Sequence, residues 1–380
     1  MRITRYRLPT VLVLVALVAC VLGTSARAAP ASRMQAPTPI TTEGGVAPTV
    51  AVDDGMALLA YETQESVYAL LGSYSQMGPT EWSLATRWIG GGVESPPAVD
   101  LRDQKGVVAW TKASDGSVWW RQLDSSGWKG AERLDFFGYR VIVWRDPGGG
   151  TWLIVPMEHQ GGAVLVGIHV DEDGSVGPAW PLAAVNGEVS SLDLAHQGQA
   201  FGFSSLKLFA PQDRGWGTAR STVYVCLLEH GGETWACSVV YRRGVEISNV
   251  RVAASAGGLH LVWTAATRDD SSSHVWYRRC ELEGTPCDRP VKLTWGPGPW
   301  VAQDVASYES HVFVGYSRDG ELFGRYSPDA GSNWANPFAV PGDYGTADHW
   351  RMAATDIGVH NVFHADGTGE NQIYYTFGWW

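Results

Sequence analysis

The chain repeats one arrangement: a short apolar run, a polar turn, a second run rich in aromatic residues, and another turn. Helical periodicity is nearly absent. The first kind of run reads MALLAY (56–61), GVVAW (106–110), TWLIVP (151–156), QAFGFS (199–204), GLHLVW (258–263), HVFVGY (311–316) and VHNVFH (359–364). Their starts lie 45 to 59 residues apart, a period that marks propeller blades. The partner runs, among them SVWWRQL, HVWYRRCEL and NQIYYTFGWW, carry the β-branched and aromatic residues that suit sheets stacked face to face. The pattern predicts an all-β chain, a β-propeller of seven four-stranded blades around a channel, with six blades as the alternative. The sequence ends at Trp380, inside the third strand of the last blade. A strand from the N-terminal stretch between Ile40 and Val52 is therefore expected to complete that blade and close the ring, which removes exposed sheet edges.

The ends refine this division. Residues 1–28 read as a secretory signal, with Arg2, Arg5 and Arg7, the apolar run from Val11 to Gly23, and a small-residue cleavage site at Ala26–Ala28. The alternative is a lipid anchor on Cys20, within LVAC. Residues 29–45, rich in Pro, Ala and Thr, read as a flexible leader, and 46–380 as a single propeller domain. No later segment is apolar enough to span a membrane. Removing the four arginines of the signal takes the net charge from −11 to about −15. That balance argues against nucleic acid as a partner, which calls for a basic footprint.

Four cysteines remain after the signal. Four allow three connectivities, and the repeat register favours Cys226–Cys237 and Cys280–Cys287, each stapling a hairpin in an oxidising compartment. Neither pair has zinc-type spacing. No metal or other cofactor is expected. Calcium is the one ion to consider, at the oxygen-rich turns Asp171–Gly174 and His364–Asn371, and ordinary turn chemistry explains both.

One stretch is more specific. In RYSPDAGSNW, Ser327, Asp329, Gly331 and Trp334 satisfy Ser-x-Asp-x-Gly-x-x-Trp, which resembles the Asp box, or BNR repeat, of the sialidase superfamily of β-propellers. The resemblance implies a structural turn between the third and fourth strands of a blade, remote from the central pocket. It also implies, for a sialidase, three arginines that clamp a carboxylate, a Tyr–Glu nucleophile pair and an acid/base Asp. The Arg-Ile-Pro segment that usually brings the first arginine is absent from the leader. Arg140, Arg251 and Arg351 stand near inner strands and could form a cluster.

A propeller binds its ligand on the face built by loops joining second to third strands and one blade to the next. Loops assigned to that face combine Arg, His, carboxylates and aromatics, a mixture that suits sugars. Candidate ligand contacts are Arg140, His159, Trp216, His274, Trp300, His349, Trp350 and Arg351. Three functions follow from this reading. The first is a secreted module that binds an extracellular or cell-surface glycan. The second is a glycan-active enzyme, an exo-glycosidase of sialidase type or a polysaccharide lyase, and the third a protein-interaction scaffold.

Overall fold

The computed structural model describes residues 34–41, 44–63, 66–75, 78–82, 86–89, 95–146, 149–159, 162–185, 188–194, 200–208, 219–228, 235–243, 245–267, 272–282, 286–367 and 371–380. The signal, the Cys20 alternative and Trp216 lie outside them. Every regular element among the described residues is a strand. The strands form seven antiparallel sheets, five of four strands and two of five.

From first blade to seventh, the inner strands are Val46–Asp53, Ala98–Arg102, Ile142–Arg145, Glu188–Leu194, Ile247–Ser255, Val301–Tyr308 and Ala347–Ala354. Each packs beside the next, and the last packs beside the first. The recurring apolar runs are the second strands, such as Met56–Glu62, Gly258–Ala266 and Gly358–Ala365. They are buried on both faces because each sheet is covered by a neighbour on either side. The core is accordingly divided into seven clusters, one at each interface between blades. Trp110 and Leu58 belong to the cluster between the first and second blades. Trp350, Phe313 and Phe363 belong to that between the sixth and seventh. Val362, Phe377 and Leu59 join the seventh to the first.

Ring closure uses a segment earlier than expected. Thr38 and Pro39 pair with Tyr375 and Tyr374 of the last strand, Gln372–Trp379. Backbone bonds from Gln35 N to Phe377 O (2.8 Å) and from Ile40 N to Ile373 O (2.9 Å) flank that pair. The Thr376 hydroxyl adds a bond to Gln35 O (2.6 Å), and Met34 is buried beneath. Residues 34–41 are therefore held in place within the stretch expected to be a flexible leader. Val46–Asp53, expected as part of the closing strand, is instead the inner strand of the first blade. Proline explains the choice, since Pro39 lacks a donor and is tolerated only on an outermost strand.

The Ser-x-Asp-x-Gly-x-x-Trp stretch forms the turn after the third strand of the sixth blade, Glu321–Ser327. Ser327 Oγ accepts from Gly331 N (2.8 Å) and donates to Asp329 Oδ1 (2.9 Å). Asp329 in turn accepts from Asn333 N (2.7 Å). Trp334 packs edge-on against Tyr277 of the preceding blade, 4.8 Å between ring centres. Both expected disulfides are present, Cys226–Cys237 and Cys280–Cys287, and they agree with an oxidising compartment.

Gly331 adopts φ +85°, and a Cβ there would lie 2.0 Å from the Tyr277 hydroxyl. Tyr277 cannot retreat, because it is buried and bonded to His260 Nδ1 (2.8 Å) and Ala330 O (3.0 Å). Gly331→Ala is expected to cost about 2–5 kcal/mol, left-handed strain and steric overlap combined. Urea denaturation followed by tryptophan fluorescence reads that loss directly.

Candidate functional site

Each inner strand turns one edge to the axial channel, where no further strand can pair with it. Side chains supply the missing partners, and they follow a direction around the ring. Arg145 N donates to Asp100 Oδ2 (2.6 Å), Val252 N to Asp193 Oδ2 (2.9 Å) and Met352 N to Asp304 Oδ2 (2.7 Å). Val250 N donates to Ser191 Oγ (3.0 Å) and Trp350 N to Gln303 Oε1 (3.3 Å). In every case the acceptor belongs to the preceding blade. The three aspartates sit on the second, fourth and sixth blades.

Arginines of the third, fifth and seventh blades answer them. Arg140 Nη1 approaches Leu192 O (3.5 Å), while Arg251 Nε (2.9 Å) and Arg351 Nη1 (2.8 Å) both donate to Gln303 O. Gln303 can serve both because a bulge between Ala302 and Asp304 breaks the regular pairing there. Arg251 and Arg351 occupy equivalent positions, each just after a bulge with a residue at positive φ, Asn249 (49°) and His349 (49°). Thr49 holds that position in the first blade, after Ala47 (φ 50°).

The three guanidiniums, with Asp100, Asp193 and Asp304, line an axial cavity of about 130 Å³. Among the described residues no carboxylate lies within 4.0 Å of any of the three. Burial, then the charge of Arg251, brings Arg140 and Arg351 down to about 10, so both stay charged at neutral pH. Burial raises Asp193, and burial followed by the Asp193 charge raises Asp304. The cavity wall thus sets three guanidiniums among the carboxyls of Asp100, Asp193 and Asp304, and burial pushes the last two toward their neutral forms.

A second hollow of about 350 Å³ is lined by Phe137, Tyr139, Met157 and Glu158. Phe137 is half exposed. Tyr139 borders this hollow and donates to Val189 O (3.2 Å), while the next residue, Arg140, borders the axial cavity. The two spaces thus share one stretch of chain.

Two further groups stand on the strand ends of the same face. Glu62, at the end of the second strand of the first blade, has a buried Oε2 with no hydrogen-bond partner among the described residues. Desolvation pushes its carboxyl up to about 7. In the seventh blade Asp348 Oδ1 meets both His364 Nδ1 (2.6 Å) and His349 Nδ1 (2.9 Å).

The expected contacts divide accordingly. Arg140 and Arg351 converge with Arg251 on the channel, and His349 lies on the face. His159 is exposed at the end of its strand, and His274 is partly buried beside Thr294 (3.5 Å); neither lines the axial cavity. Trp300 and Trp350 are corrections. Trp300 packs edge-on against Tyr316 and Phe323, and Trp350 is fully buried with its indole N–H on Asn361 Oδ1 (3.1 Å). The space between blades demands large apolar side chains, and it claims both. Asp193, Asp304 and Gln303 escaped the sequence reading because each stands in a strand. Their signal was a polar residue inside an apolar run: VDLR, LDLA and QDVA on alternate blades.

No protein-family profile matches the sequence, and no curated protein does. Solved structures share the fold at low identity. Polysaccharide lyase Uly1 is 10% identical with a TM-score of 0.59, covering 90% of this chain and 90% of its own. A PL25 ulvan lyase bound to -[GlcA(1-4)Rha3S]- is 12% identical with a TM-score of 0.58, covering 90% and 96%. A protein of unknown function from Dyadobacter fermentans is 12% identical with a TM-score of 0.53, covering 92% and 99%. At these identities the likeness is one of fold.

Glu62 provides a pH test. Its folded value, about 7, stands above its ordinary 4.5. Between those values the folded chain holds a proton that the unfolded chain has released, so stability falls as pH rises through this window. Glu62→Gln is expected to flatten that fall and to melt above the wild type at pH 8, as read by thermal denaturation across pH 4–8.

Proposed function

We propose that this chain binds an acidic glycan on its channel face, with the sugar's carboxylate or sulfate seated among Arg140, Arg251 and Arg351. The observation that carries the reading is the convergence of three guanidiniums on one cavity, where among the described residues no carboxylate lies within 4.0 Å of them. Guanidiniums recognise planar and tetrahedral oxyanions through paired N–H donors. The axial cavity, about 130 Å³, suits a charged substituent. A sugar ring needs more space, and the hollow at Phe137–Tyr139, one residue from Arg140 along the chain, supplies it, with the Phe137 ring as an apolar face and Glu158 as a hydroxyl acceptor. The fold neighbour bound to -[GlcA(1-4)Rha3S]- supports the choice of an acidic sugar as ligand class.

A glycan-active enzyme is the second reading, and Glu62 favours it. A carboxyl near neutrality with an unpartnered oxygen is suited to proton transfer at physiological pH. Uronate elimination needs a proton acceptor and a cation to neutralise the carboxylate, and this face offers both kinds of group.

Titration calorimetry with uronate-containing and sulfated oligosaccharides, against their neutral counterparts, tests the first reading. Acidic sugars are expected to bind at least about tenfold more tightly, equivalent to about 1.4 kcal/mol. Arg140→Gln should remove that preference with little effect on folding, because Arg140 makes a single long bond. Equal binding of acidic and neutral sugars would overturn the placement of the anion. Mass spectrometry of the incubated sugars distinguishes binding from cleavage, and unsaturated product ends would identify elimination.

A further inference from the structure

We propose that Asp348, His349 and His364 form a site for a divalent transition metal of the zinc type, at the mouth of the channel on the seventh blade. One ligand atom from each of the three lies within 4.8 Å of the other two. One carboxylate oxygen and two imidazole nitrogens make a donor set that suits zinc, cobalt or nickel, and the two borderline nitrogens disfavour calcium, a hard cation that takes oxygen ligands.

The backbone explains how three side chains come together. Asp348 and His364 are register partners on adjacent strands, so their side chains leave the sheet on the same side. His349 follows Asp348 directly, and in a regular strand it would point to the opposite face. The bulge between Asp348 and Arg351 prevents this: His349 takes φ 49° and its Nδ1 reaches Asp348 Oδ1 at 2.9 Å. The far nitrogen of His364 is held as well, with Nε2 3.1 Å from Asn371 Oδ1. Metal-ligating histidines are commonly oriented in this way, by an outer partner on the second ring nitrogen that leaves the first free for the ion.

The ring contains its own controls. The same bulge recurs in the first and fifth blades, with Ala47 and Asn249 at positive φ. The positions equivalent to Asp348 and His364 are there Val46 and Glu62, and Ser248 and Thr264. The geometry is thus architectural, and the seventh blade alone of these three furnishes it with metal-type donors. On binding, the ion takes a nitrogen of each imidazole and an Asp348 oxygen in place of the hydrogen bonds between them. A proton held on a ligating nitrogen moves to the other ring nitrogen or to solvent, and no electron is transferred.

The test uses the tag-free secreted chain, stripped with a chelator and titrated with Co²⁺, then with Zn²⁺ in competition. One equivalent of Co²⁺ is expected to produce visible d–d absorption that Zn²⁺ abolishes. His349→Ala, whose side chain is substantially exposed, should retain the metal-free melting temperature and weaken binding at least about tenfold. Asn371→Ala should weaken it about tenfold through loss of the outer partner. His364→Ala is the stronger variant, and should it fail to fold, His349→Ala decides alone. Absence of a stoichiometric Co²⁺ band, or unchanged affinity in His349→Ala, would overturn the site whether or not the chain binds glycans.

Discussion

A strand that faces a channel has hydrogen-bonding groups along an edge that no other strand can reach, and this propeller depends on how those groups are met. Closing the ring removes the outer liability but creates seven inner edges at once. Buried N–H and C=O groups left unpaired each cost about 1–3 kcal/mol. The chain meets them with side chains that lean from one blade to the next. Aspartates of the second, fourth and sixth blades accept from backbone N–H groups of the third, fifth and seventh. Arginines of those odd blades donate to carbonyls of the fourth and sixth. Acceptors and donors alternate around the axis because each type answers one half of the peptide group.

That solution has an electrostatic consequence. A guanidinium has more N–H donors than two backbone carbonyls can occupy. The arginines that finish the fold, with Arg251 and Arg351 also donating to Val250 O and Trp350 O, therefore retain donors at the wall of the cavity they line. Direct pairing with Asp193 and Asp304 would have quenched the charge, yet those carboxylates are committed to Val252 N and Met352 N. Structural need and anion affinity thus arise from the same residues. Asp193 and Asp304 balance the arginines from across the cavity and not by direct pairing.

Much of this architecture was legible in the sequence. The repeat of apolar runs marked the seven second strands, because a strand buried on both faces has no polar positions to disguise it. The turn at Ser327–Trp334 and both disulfides were legible for a local reason: their partners lie a few residues apart. Arg140, Arg251 and Arg351 were also recognised as a set that could cluster. The aromatic contacts were not. Trp300 and Trp350 sit beside loops in the sequence, but the bulge preceding Trp350 turns it into the space between blades while Arg351 faces the axis. Local pattern does not encode which way a bulged strand sends its next side chain. The aspartates were hidden for the complementary reason. Their partners lie 45, 59 and 48 residues away, at distances only the closed ring makes short.

The equivalence of blades also explains where chemistry can accumulate. Packing between sheets fixes the buried positions of every second strand, and edge satisfaction fixes the polar positions of the inner ones. What remains free is the end of each strand at the channel mouth. There the same backbone position holds Glu62 in the first blade, Thr264 in the fifth and His364 in the seventh. Across from them stand Val46, Ser248 and Asp348. One repeated bulge thus carries a carboxyl in the first blade, a buried threonine that accepts from Ala302 N in the fifth and an Asp–His cluster in the seventh. Where such a position is turned outward, as Asp348 is, its side chain can diverge while the ring beneath stays the same. The propeller supplies the spacing, and the residue placed at each strand end decides what that part of the face can bind.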